Sequence, residues 1–177
     1  MTNLQELLAN LPKRKQAVRK VKPVYRHDYK QRYHEAHRLY MQREYPSAYQ
    51  DHGGFKKEVP DVNKTNGLQK YIREVMNYLG HFGERVSTQG VAMRVHGGKV
   101  EYRKGSATVG SADIHCHLKL PGHKFAIPWK IEVKRGKDVV SKAQERYAEL
   151  VTSSGSLHCY VKNIDDFWDY YDYALSL

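Results

Sequence analysis

The run Lys130-Ile131-Glu132-Val133-Lys134 constrains this chain more than any other segment. Charged and apolar residues alternate one for one, which is the two-residue period of a β-strand. Ile131 and Val133 therefore project from one face, and Glu132 and Lys134 from the other. The apolar face asks for a covering layer. Charges on the opposite face of a central strand are costly unless they are paired or used. This run ends a strand expected over Phe125 to Lys134. A preceding strand, Ala112 to Leu120, joins it across Pro121-Gly122 and is introduced by Gly110-Ser111-Ala112-Asp113-Ile114. An acid from one strand, with an acid and a lysine alternating along the next, can hold a divalent cation beside a phosphate. Carboxylates are hard oxygen ligands for Mg²⁺ or Mn²⁺, and the ammonium can approach an attacking water or a phosphate oxygen. The competing reading is a surface cross-strand pair of Glu132 and Lys134, worth about 0–1 kcal/mol.

Helical and strand-like segments alternate around these two strands. Leu68, Ile72, Val75, Met76 and Leu79 recur at helical spacing, and the helix should end near Gly80 to Gly83. Arg85 to His96 reads as a strand turning at Gly97-Gly98, with Val100 to Tyr102 pairing back. Ser141 is an expected N-cap for a helix through Thr152, with Gly155 beyond its end. Leu157 to Val161 is a strand. Asn163 should cap a last helix from Ile164 to Ala174, with Asp165 and Asp166 at its positive end. The order α-β-β-β-α-β-α predicts an α/β fold, a small mixed β-sheet flanked by helices, over residues 66–177.

Residues 1–65 read differently, as a basic helical arm and linker. The chain of 177 residues carries a net charge of +11. Residues 1–60 hold 13 Lys/Arg against 6 Asp/Glu, whereas residues 61–177 hold 17 against 13, so the excess is concentrated in the first third. Such a balance favours a polyanionic partner, nucleic acid first. A short helix, Asn3 to Leu11, should stop at Pro12. The basic residues Lys13, Arg14, Lys15, Arg19 and Lys22 follow, and Pro23 should open a helix to Glu44. On that helix Arg26 and Lys30 lie beside a stripe of Tyr25, Tyr29, Tyr33 and Tyr40. Two readings of the stripe stand: stacking on exposed bases while the cations neutralise phosphates, or packing against the following domain or a second subunit. Tyr45 to Asn66, rich in Gly and Pro, reads as linker.

No run of 18 apolar residues occurs, so no membrane span is expected. The N-terminus lacks the pattern of a secretory signal, and Cys116 and Cys159 fall in strand-like segments, so buried, reduced thiols of an intracellular protein are expected. His115 and His117 share the face of Asp113, but a hard cation prefers oxygen, which leaves them to packing or substrate contact. His27, His34 and His37 with Glu35 read as ordinary members of a basic helix. The aromatic run from Phe167 to Tyr173 is expected in the core and at a dimer surface.

The ordered series Gly110-x-x-Asp113, Ile131-Glu132-Val133-Lys134, Ser141-x-x-Gln144 and Gly155 resembles the VRR-NUC branch of the PD-(D/E)XK nuclease superfamily, over roughly residues 66–175. Ala112 stands where the family name has a proline, a residue that ligates nothing. The resemblance implies a restriction-endonuclease-like core. It implies that Asp113, Glu132 and the backbone carbonyl of Val133 hold Mg²⁺ (or Mn²⁺ in its place), that Lys134 orients or deprotonates the attacking water, and that Gln144 reaches back to the site. Glu74 matches the place of a further metal-linked acid. The implied activity is phosphodiester hydrolysis by a structure-selective DNA endonuclease, bacterial or phage-encoded. Such an enzyme would act on branched or junction DNA in repair, recombination or phage DNA processing, as a homodimer. The alternative is a nucleic-acid-binding module that keeps the fold without turnover.

Overall fold

The computed structural model describes residues 24–52, 57–86, 91–94, 98, 100–103 and 108–177. The chain forms helices α1 (Tyr29–Glu44), α2 (Pro46–His52) and α3 (Thr65–Tyr78), then strands β1 (Phe82–Arg85), β2 (Val91–Arg94), β3 (Val100–Arg103), β4 (Ile114–Lys119) and β5 (Ala126–Val133). Helix α4 (Lys142–Ser153), strand β6 (Leu157–Val161) and helix α5 (Ile164–Leu175) complete it. Four strands form one sheet in the order β1-β4-β5-β6, and β2 pairs with β3 separately. The β1/β4 and β4/β5 pairs are antiparallel and β5/β6 is parallel, so this is a mixed sheet flanked by helices. Among the described residues no helix is long and apolar enough to cross a membrane.

Strand alternation decides what each face buries. Ile114 lies opposite Ile131, Cys116 opposite Trp129, and Ile131 beside Cys159. These side chains point to one side and are buried with Leu68, Ile72, Val75 and Met76 of α3 and Ile164 and Phe167 of α5. Trp129 stacks on Phe167, with ring centroids 6.1 Å apart and planes 9° from parallel. Both cysteines are buried and unpaired, and burial pushes the Cys116 thiol up to about 12. The other face carries Glu132 and Lys130 and is met by α4.

The strand expected over Arg85 to His96 is two strands. The sheet's edge strand β1 begins at Phe82, inside the segment read as a helix stop, because α3 secures it. The Asn77 side chain accepts from the Gly83 amide at 3.0 Å and donates to the Gly83 carbonyl at 2.9 Å. These contacts satisfy backbone groups that an edge strand presents away from its partner. The later part, β2, pairs with β3 in the register Arg94 to Val100, which agrees with the turn expected around Gly98.

The first third departs further from expectation. Helix α1 starts at Tyr29, not after Pro23. The Asp28 side chain caps it by accepting from the Gln31 amide, and Asp165 accepts from the amides of Arg26 and His27 at 3.0 and 2.9 Å. Those amides are thereby held outside a helix. Within the segment read as linker, α2 forms with Pro46 at its first position, where a missing N–H costs nothing. Val62 is fully buried. The core does not break at residue 65: Tyr33, Ala36 and Val62 belong to the same cluster as α3 and the sheet. Of the two readings of the tyrosines, packing is the one observed. Tyr33 is fully buried with its ring 5.3 Å from that of Tyr71, and Tyr71 donates to the Tyr29 carbonyl. The aromatic run of α5 divides, with Phe167, Trp168 and Tyr171 buried and Tyr170 and Tyr173 exposed. The helix expected over Asn3 to Leu11, the basic residues from Lys13 to Lys22, and Pro23 lie outside the described residues.

His81 ties α5 to the sheet. Its Nδ1 accepts from the Lys119 amide at 3.1 Å, and its Nε2 lies 2.9 Å from the Tyr171 hydroxyl. Burial, aided by the charge of Lys119, depresses its pKa to about 4. The unfolded chain therefore binds a proton near pH 6.5 that the folded chain refuses until about 4. Stability is fully present above the first value and is lost as pH falls toward the second, by on the order of 2–3 kcal/mol. Urea unfolding between these pH values should show a shallower acid limb for His81→Asn. An unchanged limb would remove His81 from the account.

Candidate functional site

Asp113 precedes β4 by one residue, and the register Ile114 to Ile131 sets it beside Glu132 at the end of β5. The two residues interlock. The Asp113 amide donates to Glu132 Oε2 at 3.2 Å, and the Val133 amide donates to Asp113 Oδ2 at 3.0 Å. One residue past β5, the Lys134 amide donates to the Val161 carbonyl, which continues the parallel pairing. Glu132 and Lys134 are only 4% and 6% exposed, so the reading of a solvated surface pair does not hold. The Lys134 Nζ lies 3.3 Å from Glu132 Oε1, 3.6 Å from Asp138 Oδ1 and 2.8 Å from Gln144 Oε1.

Gln144 is aimed by a capping box. Ser141 Oγ accepts from the Gln144 amide, and Gln144 Oε1 accepts from the Ser141 amide at 3.0 Å. That folded-back conformation presents both ends of the side-chain amide to the sheet. Its oxygen meets Lys134 and its nitrogen donates to Glu132 Oε1. Gly110 brings α4 into range. It has φ +83°, and a Cβ added there would lie 2.4 Å from the Ala143 carbonyl oxygen. The turn thus touches the first turn of α4 where only glycine leaves room.

Burial first, and then the neighbouring Asp113 carboxylate, raise the Glu132 pKa to about 7 against the pull of Lys134 and the Asp113 amide. The folded chain thus holds a proton up to about pH 7 that the unfolded chain releases near 4.5. With divalent cations chelated, stability should fall as pH rises across that interval, by on the order of 2–3 kcal/mol. Glu132→Gln should flatten the slope. A denaturation series showing the same slope in both proteins would refute this.

The sequence-predicted residues Asp113, Glu132, Val133, Lys134 and Gln144 come together. Glu74 does not join them, which corrects its expected place in the metal set. It faces α1 and the segment after α2, where Oε2 accepts from the buried Tyr33 hydroxyl at 2.6 Å and Oε1 meets Lys57 Nζ at 3.2 Å. Arg26 is paired with Asp169, and Lys30 is exposed on α1. Lys13, Arg14, Lys15, Arg19 and Lys22 lie outside the described residues. His115 is engaged elsewhere, 3.1 Å from Ser111 Oγ and 3.3 Å from the Tyr147 hydroxyl, and burial lowers its pKa. The sequence reading missed Asp138 as a second carboxylate for Lys134. It also missed the Ser111–His115–Tyr147 contacts, whose one signal was Ser111 within the Gly110 turn.

Among the described residues no group of three or more His, Cys, Asp and Glu side chains is placed to hold a metal. The donor set is a pair of carboxylates. That set fits Mg²⁺, which keeps several waters and is commonly bound through one or two carboxylates plus substrate phosphates. Burial is the first cause of the raised Glu132 pKa and the Asp113 carboxylate the second, and a bound cation would offset the second. Comparison with protein-family models, with curated proteins and with solved structures gives no match.

Proposed function

We propose that this protein is a metal-dependent nuclease that hydrolyses phosphodiester bonds at Asp113, Glu132, Lys134 and Gln144, on a restriction-endonuclease-like core. The observation that carries the reading is the buried Lys134 ammonium, held between Gln144 Oε1 and the Glu132 carboxylate, beside Asp113. Binding nucleic acid does not call for two acids next to a desolvated lysine, whereas metal-assisted phosphodiester cleavage can use each of them. Cleavage needs a positioned nucleophile at neutral pH and stabilisation of charge on the entering and leaving oxygens. Asp113 and Glu132 would hold the cation, which supplies Lewis-acid stabilisation of the phosphate and a lowered pKa for water.

The chain's own groups do the rest. Lys134 offers a proton donor to the attacking water or to a phosphate oxygen as negative charge grows there. Gln144 fixes the positions of both groups, its oxygen accepting from the ammonium and its nitrogen donating to the Glu132 carboxylate that pairs with it. The burial of Glu132 and Lys134 keeps water from competing for these contacts and strengthens them.

The substrate we propose is DNA, branched or junction DNA in particular, cut by a homodimer. The test is incubation of labelled junctions, flaps and plain duplexes with Mg²⁺, with Mn²⁺, and with chelator. Cleavage that depends on the cation and is fastest on junctions is expected. No cleavage of any substrate with either cation would overturn the reading. Salt-sensitive binding in that case would point instead to a non-catalytic nucleic-acid-binding module.

A further inference from the structure

We infer that Lys70, Arg73 and Arg85 form a subsite for a backbone phosphate of the nucleic acid, at the same end of the sheet as Asp113 and Glu132. These cations line a cleft of about 290 Å³ together with Asn66 and Gln69. Among the described residues none of the three forms an ion pair. The Arg85 guanidinium is steadied by one hydrogen bond, to Asn66 Oδ1 at 3.2 Å. Gln69 is buried, and its Oε1 has no hydrogen-bond partner among the described residues. An amide oxygen takes no hydrogen bond from a phosphodiester, so the case for an anion rests on the three cations that line the cleft.

The lining selects the class of ligand. It has three cations and two side-chain amides, with no aromatic face on which a base could stack. It is therefore suited to phosphate and not to base recognition. An adjoining cleft shares Arg73 and Arg85 and adds Lys57, Glu74 and Glu84. Its Glu74 is already neutralised by Lys57 and held by Tyr33, which leaves Glu84 as the opposing charge.

Topology connects this cleft to the candidate site. Arg85 lies opposite Ile114, the residue after Asp113, and the Val86 amide donates to the Asp113 carbonyl at 2.8 Å. On the far side, Arg135, which follows Lys134, donates to the Asn63 carbonyl just ahead of α3. The ends of β1 and β5 and the start of α3 thus meet, and a strand at Asp113 can pass round the sheet edge onto Arg85.

The inference rests on the nucleic-acid reading of the site, and its test does not depend on cleavage. Binding of a labelled DNA duplex is measured with divalent cations chelated, over a series of NaCl concentrations. The slope of log affinity against log salt should decrease by about 1 in Arg73→Gln/Arg85→Gln, the signature of one lost phosphate contact. Lys119→Gln, at the opposite end of β4, should keep the wild-type slope. Thermal unfolding identifies a double variant that fails to fold. The exposed Lys70→Gln then carries the same test, with a smaller decrease in slope. An unchanged slope in the cleft variants, or an equal decrease in Lys119→Gln, would overturn the subsite. A wild-type protein that never cleaves DNA while the cleft variants lose slope would keep the subsite and end the nuclease proposal. Cleavage by wild type with unchanged slopes would do the reverse.

Discussion

Lys134→Met should lower single-turnover cleavage by about 10³-fold or more, with DNA affinity nearly unchanged. Removing one preorganised donor to a developing negative charge typically costs about 10²–10³ in rate, and loss of a proton-transfer group about 10²–10⁴. Lys134 stands in both roles in the proposed site. Its side chain is 6% exposed, so methionine can occupy much of the same volume without the charge. The loss would not stop at the ammonium. Gln144 Oε1 would lose its 2.8 Å donor, and Glu132 would lose the charge that opposes Asp113, raising its pKa further above about 7. Asp113→Asn should fall by a similar factor for a different reason, since it removes a proposed cation ligand and with it the repulsion on Glu132. Added Mn²⁺ should therefore rescue neither fully. Rates measured at saturating protein, beside thermal unfolding curves, separate chemistry from folding. A Lys134→Met enzyme that cleaves within about threefold of wild type would remove the lysine from the mechanism.

Gly110→Ala is the second large effect. The position has φ +83°, where a side chain costs about 1–2 kcal/mol. The added Cβ would also stand 2.4 Å from the Ala143 carbonyl oxygen and 2.9 Å from the Gln144 amide. Both neighbours are backbone at the start of α4, so relief requires moving the capping box itself. A stability loss of about 2–4 kcal/mol is expected. Cleavage should fall with it, because Gln144 reaches Glu132 and Lys134 only from that first turn. Gly122→Ala provides the control. It has φ +77° but nothing within 4 Å of the added Cβ, so it should show the conformational cost alone and full cleavage. Equal behaviour of the two variants, by urea unfolding and by rate, would argue against the contact between the Gly110 turn and α4.

Much of the site was legible because its devices are local. The alternation from Lys130 to Lys134 needs only neighbouring residues to declare a strand and its faces. The Ser141–Gln144 and Asn163–Asp166 capping boxes span four residues each, and both helices begin directly after the expected caps Ser141 and Asn163. The Pro121-Gly122 turn joins β4 to β5, and antiparallel pairing then brings Asp113 to Glu132 with little freedom. Glu74 was misplaced because its spacing on α3 is compatible with facing either the sheet end or α1. Its choice was made by Tyr33, 41 residues away, and by Lys57. The tyrosine stripe was ambiguous for a related reason, since an amphipathic aromatic face serves a base or a core equally well until its partner is known.

By itself the sequence determined the strand carrying Glu132 and Lys134, the helix carrying Gln144, and the turn that pairs β4 with β5. These depend on dihedral preference and on hydrogen bonds that close within a few residues. Tertiary structure alone decided that α1 belongs to the core, that Asp165 holds the amides of Arg26 and His27 across 139 and 138 residues, and that Lys70, Arg73 and Arg85 converge on one cleft. Contacts of that kind are selected by which buried surfaces fit together and which buried polar groups must find partners, and neither condition leaves a signature in the local order of residues.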